Sequence, residues 1–328
     1  MRILLATQLE PGEAQAWLAA LQLAAPGHEW WQRPELDGAL RAEGLSALVP
    51  TPALKADVAI VANPPPGVLA GVQGLRLIQS LWAGVDRLTA DTTVPVDVPL
   101  ARMVDPSMTA AMVESALWAV TSLHRSFFDY AHQQRRAQWL QQVQRRAEDV
   151  AVLVLGLGTM GAAVAARLAA QGYRVAAWRR GHGCSAPEGV AALHGQDAAL
   201  NTALAEADVV INLLPLTPET RGMIDAAFLA RMKPSAALVN FGRGAHVVEA
   251  DLLAALDEGK LGHAVLDVFT TEPLPAEHPF WHHSRVTVLP HVAALTDLRS
   301  AAQVVAANLR RLESGQPLLH LVDRQRGY

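Results

Sequence analysis

The run Val150-Ala151-Val152-Leu153-Val154-Leu155 leads directly into Gly156-Leu157-Gly158-Thr159-Met160-Gly161, and an alanine-rich stretch follows to Ala170. No other feature restricts the fold of this chain so strongly. Consecutive apolar residues without alternation read as a strand buried on both faces, which is the environment of a parallel sheet. The alanine-rich stretch reads as a helix. A G-x-G-x-x-G between such a strand and such a helix is the dinucleotide-binding fingerprint. The first glycine permits the tight turn, the second lets backbone approach a pyrophosphate, and the third lets the helix pack closely on the strand. The helix N-terminus then presents N–H groups and partial positive charge to phosphates. Gly156, Gly158, Thr159, Met160 and Gly161 are therefore candidate cofactor-binding residues. A glycine-rich turn without ligand is the plainer alternative. A membrane span is rejected: Val150–Ala166 is 17 residues without a charge, but glycines interrupt it and Asp149 and Arg167 flank it.

The end of the next strand bears on the choice of coenzyme. A chain selecting NADH places an acid about 20 residues after the glycines to hold the ribose 2′-hydroxyl. Here the region reads Trp178-Arg179-Arg180. Two guanidiniums suit a 2′-phosphate through paired, charge-assisted hydrogen bonds. NADPH is expected over NADH, with Trp178, Arg179 and Arg180 at the adenosine end. Solvated arginines are the alternative.

The chain has 328 residues, 51% hydrophobic and 18% charged. That is enough for a large core and suggests two domains. A formal charge of -4 gives no broad basic field, so nucleic acid is not an expected partner. The single cysteine, Cys184, lies among Gly181, Gly183 and Pro187 and reads as incidental. It cannot form an intrachain disulfide, which fits a reducing cytoplasm. Met1–Ala6 is too short for a signal peptide, and acidic Glu10 and Pro11 end it. No membrane partner is expected.

The first hundred residues read as a small α/β unit. Its strands are expected at Ile3–Ala6, Val58–Ala62 and Leu75–Ser80, and its helical stretches at Gly12–Leu23 and Val68–Val72. Pro95, Pro99 and Pro106 mark a boundary. One long helix is expected from about Ser107 to Arg136, capped by Ser107 or Thr109. Trp118, Phe127, Phe128 and Tyr130 on it read equally as core or as a subunit interface. From Asp149 onward strands and helices alternate: strand 150–155, helix 160–171, strand 174–178, loop 179–189, strand 208–213, helix 225–231, strand 236–240, helix 249–257, strand 263–268 and strand 286–289. A helix from Thr296 to Glu313 precedes the tail, which is expected to return to the first domain. The pattern predicts a doubly wound parallel sheet of Rossmann type at 102–292, with a smaller flavodoxin-like α/β domain at 1–101 plus 293–328.

Ligands of such sheets bind beyond the carboxyl ends of the strands, and several polar groups fall there. Leu214 and Pro215 can pack on an adenine or ribose, with Thr220 following. Asn240-Phe241-Gly242-Arg243-Gly244 holds one cation in a tight turn, suited to a carboxylate and a polarised ketone oxygen. Asp267 and Glu272 follow the next strand, and His291 ends the last. A carboxylate beside a histidine favours the imidazolium, an acid able to protonate a developing alkoxide. Taken singly, each residue reads as structural. Arg243 can cap a helix, and His291 can be a core histidine. Their joint order after one fingerprint is what points to a site.

On these motifs, LPLTxxT (Leu214–Thr220), NxxRG (Asn240–Gly244), LDVFxxEPLP (Leu266–Pro275) and Pro290-His291, the chain resembles the D-isomer-specific 2-hydroxyacid dehydrogenases over nearly its whole length. It most resembles the branch that reduces glyoxylate and hydroxypyruvate, through Ile211–Pro215, Glu249–Leu253 and the acid-free Trp178–Arg180. The resemblance implies NADPH-dependent reduction of a small 2-oxo acid by a homodimer. Arg243 would bind the 2-oxo acid, His291 would donate the proton, and Glu272 would hold His291. Asp267, Phe241 and Gly242 would lie near the coenzyme. Trp82, Ala83 and Gly84 resemble the substrate loop, whose N–H groups meet the carboxylate. Trp82 stands where a smaller residue is usual, and Trp139–Glu148 lacks the usual glycine and leucine landmarks. Two alternatives stay open: a bulkier 2-oxo acid, or an NAD(P)-sensing regulator without catalysis. The cluster Glu277, His278, His282 and His283 reads as a solvated loop, since Pro279 opposes a zinc helix, and no metal is expected.

Overall fold

A computed structural model describes residues 1–32, 54–181, 185–195 and 198–328; Cys184 lies outside them. The chain divides into two compact units, Met1–Met108 with Thr296–Tyr328, and Thr109–Leu295. The boundaries read from the sequence, 101/102 and 292/293, lie a few residues earlier.

The first unit contains β1 (Arg2–Thr7), α1 (Pro11–Ala24), β2 (Glu29–Gln32), β3 (Val58–Ala62), β4 (Leu77–Ser80), α2 (Asp86–Ala90) and β5 (Leu100–Ala101). The strands are all parallel, in the order β2-β1-β3-β4-β5, the doubly wound order of flavodoxin-like sheets. β3 and β4 are wholly buried, as strands covered on both faces require. The short edge strands β2 and β5 carry no long apolar run and were not anticipated. Val68–Val72 forms turns rather than the expected helix. The final helix, Leu298–Glu313, is capped by Asp297, which accepts from the Arg299 and Ser300 N–H groups. It packs on α1, and its buried Asn308 Nδ2 donates to Gln79 Oε1 at 2.7 Å.

The expected long helix is two: α3 (Pro106–His124) and α4 (Phe127–Arg135). Asp105 rather than Ser107 or Thr109 anchors the start, since its carboxylate accepts the Ser107 N–H at 3.0 Å. The break falls at Ser126, in the left-handed region at φ 56. No Gly or Pro marks it, and the cause is tertiary. Turning the chain there lets the Phe128 ring meet Trp118 edge-on at 5.6 Å and stack on His263 at 4.8 Å. The aromatic cluster thereby splits. Phe128 packs inward and Tyr130 accepts the Gln142 N–H, while Trp118 and Phe127 stay exposed.

The second unit continues with β6 (Ala151–Leu155), α5 (Thr159–Ala170), β7 (Arg174–Arg179), β8 (Val190–His194), α6 (Ala198–Glu206), β9 (Val209–Asn212), α7 (Ala226–Leu229), β10 (Ala237–Asn240), α8 (Glu249–Asp257), β11 (His263–Leu266) and β12 (Val286–Val288). Among the described residues seven parallel strands run in the order β12-β11-β10-β9-β6-β7-β8. This is a doubly wound Rossmann sheet, and its order reverses between β6 and β9. β8 and α6 had no clear sequence signal, because β8 is a half-exposed edge strand without regular alternation. Among the described residues no helix is long and apolar enough to cross a membrane.

Candidate active site

The fingerprint turn sits at the topological switch point. Gly156 has φ +104, and a Cβ there would lie 2.8 Å from the Leu213 carbonyl oxygen. A Cβ on Gly161 would come within 1.8 Å of the Gly156 oxygen. These two glycines are therefore required by turn and packing. Gly158 differs: a Cβ there would meet nothing within 4 Å, so its side of the turn is open. Gly158 is also the N-cap of α5 and, having no side chain, makes no cap hydrogen bond of its own. Open backbone at an uncapped helix start fits a pyrophosphate.

Beside it, Trp178 is buried, and its indole N–H donates to the Gly195 carbonyl at 3.0 Å. Its carbonyl accepts the Gly156 N–H at 2.8 Å. Trp178 thus supports the turn from within the fold. Arg179 is half-buried and Arg180 exposed. No acid stands in the β7 turn itself. The loop after β9 brings one, with Glu219 Oε2 3.5 Å from Arg180 Nη1. The Thr217 hydroxyl, donating at 2.7 Å, and then the Arg180 charge hold the Glu219 carboxyl below its usual range. Thr220 fastens the same loop. It donates to the Pro215 carbonyl and accepts the Thr217 N–H, both at 2.8 Å.

The carboxyl ends of β9 and β10 are joined by three fully buried polar side chains, Asn212, Asn240 and His246. Asn212 Nδ2 donates to Asn240 Oδ1 at 2.9 Å and meets His246 Nδ1 at 2.8 Å. Asn240 Oδ1 also accepts the Gly242 N–H, and Asn240 Nδ2 donates to the Arg243 carbonyl. The Arg243 N–H donates to His246 Nδ1 at 3.1 Å. The backbone that carries Arg243 is held from several sides, and its guanidinium Nη1 donates to the Gly242 carbonyl at 2.8 Å. Gly244 lies against the next strand's loop, so that a Cβ would fall 1.9 Å from the Phe269 carbonyl carbon.

That loop presents Glu272. Its Oε1 accepts the Phe269 N–H at 2.9 Å, and its Oε2 meets His291 Nδ1 at 2.8 Å. Burial pushes the Glu272 carboxyl up. The hydrogen bonds from His291 and the Phe269 N–H, with the charges of His291 and Arg243, outweigh it and leave the group below its usual range. His291 adopts φ 57, a left-handed backbone, and its N–H donates to the Asp267 carbonyl at 2.9 Å. The buried Asp267 carboxylate accepts the Val292 and Ala293 N–H groups at 2.7 and 3.0 Å, and burial raises its pKa. Asp267 therefore serves the turn that holds His291. Ser115 on α3 donates to the Ala293 carbonyl and tethers the same turn.

In the first unit the Trp82-Ala83-Gly84 turn follows β4. The Trp82 N–H donates to Ser80 Oγ at 3.0 Å, and the Trp82 carbonyl accepts the Met103 N–H. Its ring meets the buried Trp17 edge-on at 6.1 Å.

Of the cluster read as a solvated loop, Glu277 and His282 are exposed, whereas His278 and His283 are not. His278 pairs with Glu249 at 3.5 Å and His283 with Asp257 at 3.2 Å, and both side chains are largely buried. Pro279–Trp281 is a 3-10 turn. Among the described residues no three His, Cys, Asp or Glu side chains converge as metal ligands. Asn212 and His246 were not singled out from the sequence. A signal existed for Asn212 and Asn240, because each ends a wholly apolar strand, VVIN and ALVN. Nothing local marks His246.

Glu272, His291 and the Arg243 charge thus converge at neighbouring strand ends, beside an open glycine turn. Comparison with known proteins agrees with that arrangement. The family model for the D-isomer specific 2-hydroxyacid dehydrogenase NAD binding domain matches residues 117–293. A glyoxylate/hydroxypyruvate reductase A of Serratia proteamaculans is 41% identical over 280 residues, covering 83% of this chain and 88% of the relative. A D-isomer specific 2-hydroxyacid dehydrogenase from Xanthobacter autotrophicus Py2, solved with NADPH and MES, superposes with a TM-score of 0.89 at 38% identity, covering 100% of this chain and 99% of that one. An NADPH-dependent glyoxylate/hydroxypyruvate reductase from Sinorhizobium meliloti, solved with NADP and sulfate, gives 0.87 at 35% identity, covering 100% and 99%. With this fold, these motifs and this degree of identity, the chain belongs to the D-isomer specific 2-hydroxyacid dehydrogenase family.

Proposed function

We propose that the protein reduces small 2-oxo acids, glyoxylate and hydroxypyruvate among them, to 2-hydroxy acids with NADPH. The observation that carries this reading is the 2.8 Å pair of His291 Nδ1 and Glu272, whose carboxylate also feels the Arg243 charge. When bound, NADPH supplies the hydride. Gly156, Gly158, Thr159, Met160 and Gly161 take its pyrophosphate at the uncapped start of α5, and Arg179 and Arg180 take its 2′-phosphate. Leu214, Pro215, Thr220, Phe241 and Gly242 flank the coenzyme. Arg243 binds the 2-oxo acid and draws charge onto the ketone oxygen. His291, oriented through Nδ1 by Glu272, delivers a proton from its other ring nitrogen. Because the Trp82 N–H already serves Ser80, the carboxylate role of that turn rests on Ala83 and Gly84.

The chain is further proposed to act as a homodimer in the cytoplasm. Trp139 is 95% exposed and Val143 90%, and Leu140, Phe127 and Trp118 are exposed with them. The exposed Trp139, Leu140 and Val143, within five residues of one another in sequence, are the apolar area offered for association. The test of function is oxidation of NADPH, with NADH as control, against glyoxylate, hydroxypyruvate, pyruvate and phenylpyruvate. Rapid NADPH-dependent turnover of the small acids is expected. NADH preference would overturn the Arg179–Arg180 assignment alone. No turnover of any acid, with coenzyme bound, would overturn the reductase reading.

A further inference from the structure

His246 is fully buried and lies in no region assigned above to substrate or coenzyme. Its hydrogen bonds nevertheless reach both. Nδ1 accepts the Arg243 N–H at 3.1 Å and faces Asn212 Nδ2 at 2.8 Å. With two donors on Nδ1, that nitrogen carries no proton, and the neutral ring holds its hydrogen on Nε2. Nε2 then donates to the Pro215 carbonyl at 3.2 Å. One imidazole therefore ties the backbone of Arg243 to the backbone of the loop after β9. Asn212 reinforces both ends, since its Oδ1 accepts the Leu214 N–H at 3.2 Å while its Nδ2 reaches Asn240 at 2.9 Å. The space is filled as well: a Cβ on Gly242 would lie 3.0 Å from both His246 Nδ1 and Asn212 Nδ2.

We propose that His246 is a positioning residue that couples the substrate arginine to the coenzyme loop, with its two ring nitrogens serving the two ligands separately. Nδ1 fixes the Arg243 turn, and Nε2 fixes Leu214-Pro215. The inference rests on the reading that Arg243 holds the 2-oxo acid and Leu214-Pro215 flanks the coenzyme. A group that only filled the core would not divide its effects in this way. Such buried bonds are costly to leave half-made, because the abandoned partner keeps its desolvation penalty.

Two substitutions separate the nitrogens. In His246→Asn the side-chain oxygen sits where Nδ1 was and still accepts from Arg243, but the link to Pro215 is gone. In His246→Gln the terminal amide sits where Nε2 was and still donates to Pro215, but the Arg243 N–H loses this acceptor and Asn212 Nδ2 keeps only Asn240 Oδ1. The readouts are the dissociation constant for NADPH by titration calorimetry, the KM and kcat for glyoxylate, the binding of oxamate as an unreactive 2-oxo acid mimic to the NADPH complex, and the Tm. His246→Asn is expected to weaken NADPH roughly tenfold with oxamate binding within about twofold of the parent. His246→Gln is expected to do the reverse, raising the glyoxylate KM and weakening oxamate roughly tenfold while NADPH binds as before. If both variants weaken both ligands in proportion to their loss of Tm, His246 is structural and the proposal fails. If the unsubstituted protein binds NADPH but neither turns over glyoxylate nor binds oxamate, it is the reductase reading that fails.

Discussion

The two ends of the seven-stranded sheet are built in different ways. At the carboxyl end, loops are held by buried polar side chains, each matched to backbone groups: Asn212, Asn240, His246 and Asp267. Glycines let neighbouring loops touch, as where Gly244 meets Phe269. At the amino end the anchor is charged: Asp208 accepts the Ala151 N–H at 2.8 Å and pairs with Lys233 and Arg145 at 3.0 and 3.1 Å, while His263 stacks on Phe128 and His124 meets the Tyr173 ring edge-on. The chain leaving that end exposes Trp139 and Val143. Hydrogen bonds fix direction to within tenths of an ångström, which a reacting group needs. The ion pairs and rings of the amino end hold the starts of the strands and the helices beside them, and no group of the proposed site lies there.

The sharpest way to break the contrast is to remove the acid. His291→Ala should lower kcat by about 10²- to 10⁴-fold, the usual contribution of a positioned proton donor. The side chain is 53% exposed, so the Tm should stay near that of the parent, and NADPH should bind as before. Steady-state kinetics beside a coenzyme titration would show it, and near-normal turnover would remove His291 from its role.

Next come the glycines, which divide into two kinds. Gly244→Ala drives a methyl group into the Phe269 carbonyl and must move the segment bearing Glu272. Overpacking of this kind costs about 1–3 kcal/mol, and kcat/KM should fall roughly a hundredfold as the Glu272–His291 pair opens. Gly158→Ala meets open space, so the Tm should hold while NADPH binding weakens. Equal loss of stability in both variants would erase the distinction between the packed and the open glycine.

The same division decides what the sequence disclosed. The carboxyl end was legible because its devices are local: a glycine spacing, an arginine between glycines, a proline-histidine pair after an apolar strand. The parallel sheet was legible because β6, β9 and β10 are continuous apolar runs. What stayed hidden depends on distant partners. Ser126 breaks the helix because Phe128 has rings to reach on α3 and β11, and no Gly or Pro announces it. His246 carries no local mark, because its meaning lies in Arg243, Asn212 and Pro215, which meet only in the folded sheet. Glu219 beside Arg180 was missed for the same reason, since the acid comes from a different strand's loop.

The amino end predicts a pH effect on stability. Burial, then the charges of His283 and Arg285, lower the His263 pKa from 6.5 to about 4. The unfolded chain takes up this proton near pH 6.5, while the folded chain refuses it until near 4. The group's contribution is therefore complete above pH 6.5 and is lost as pH falls toward 4, by at most about 3 kcal/mol. His263 Nε2 lies 2.9 Å from the Thr287 hydroxyl, and His263→Gln keeps a partner for that hydroxyl but cannot titrate. Denaturant unfolding of parent and variant at pH 7, 5.5 and 4.5 should show the gap between them change with pH, and parallel curves would refute the assignment.

The smallest effect on folding is expected from the exposed ridge. Trp139→Ser with Val143→Ser removes side chains that are 95% and 90% exposed, so the stability of the chain itself should change by no more than about 0.5 kcal/mol. The consequence should appear between molecules. If this ridge is the face by which two copies associate, its apolar area drives the pairing, and sedimentation velocity should show the double variant at half the mass of the parent. A change of mass with unaltered far-UV signal and coenzyme binding would separate the two ends of the sheet cleanly, one serving the reaction and the other the assembly. A parent already monomeric at micromolar concentration would show that the ridge lacks that role.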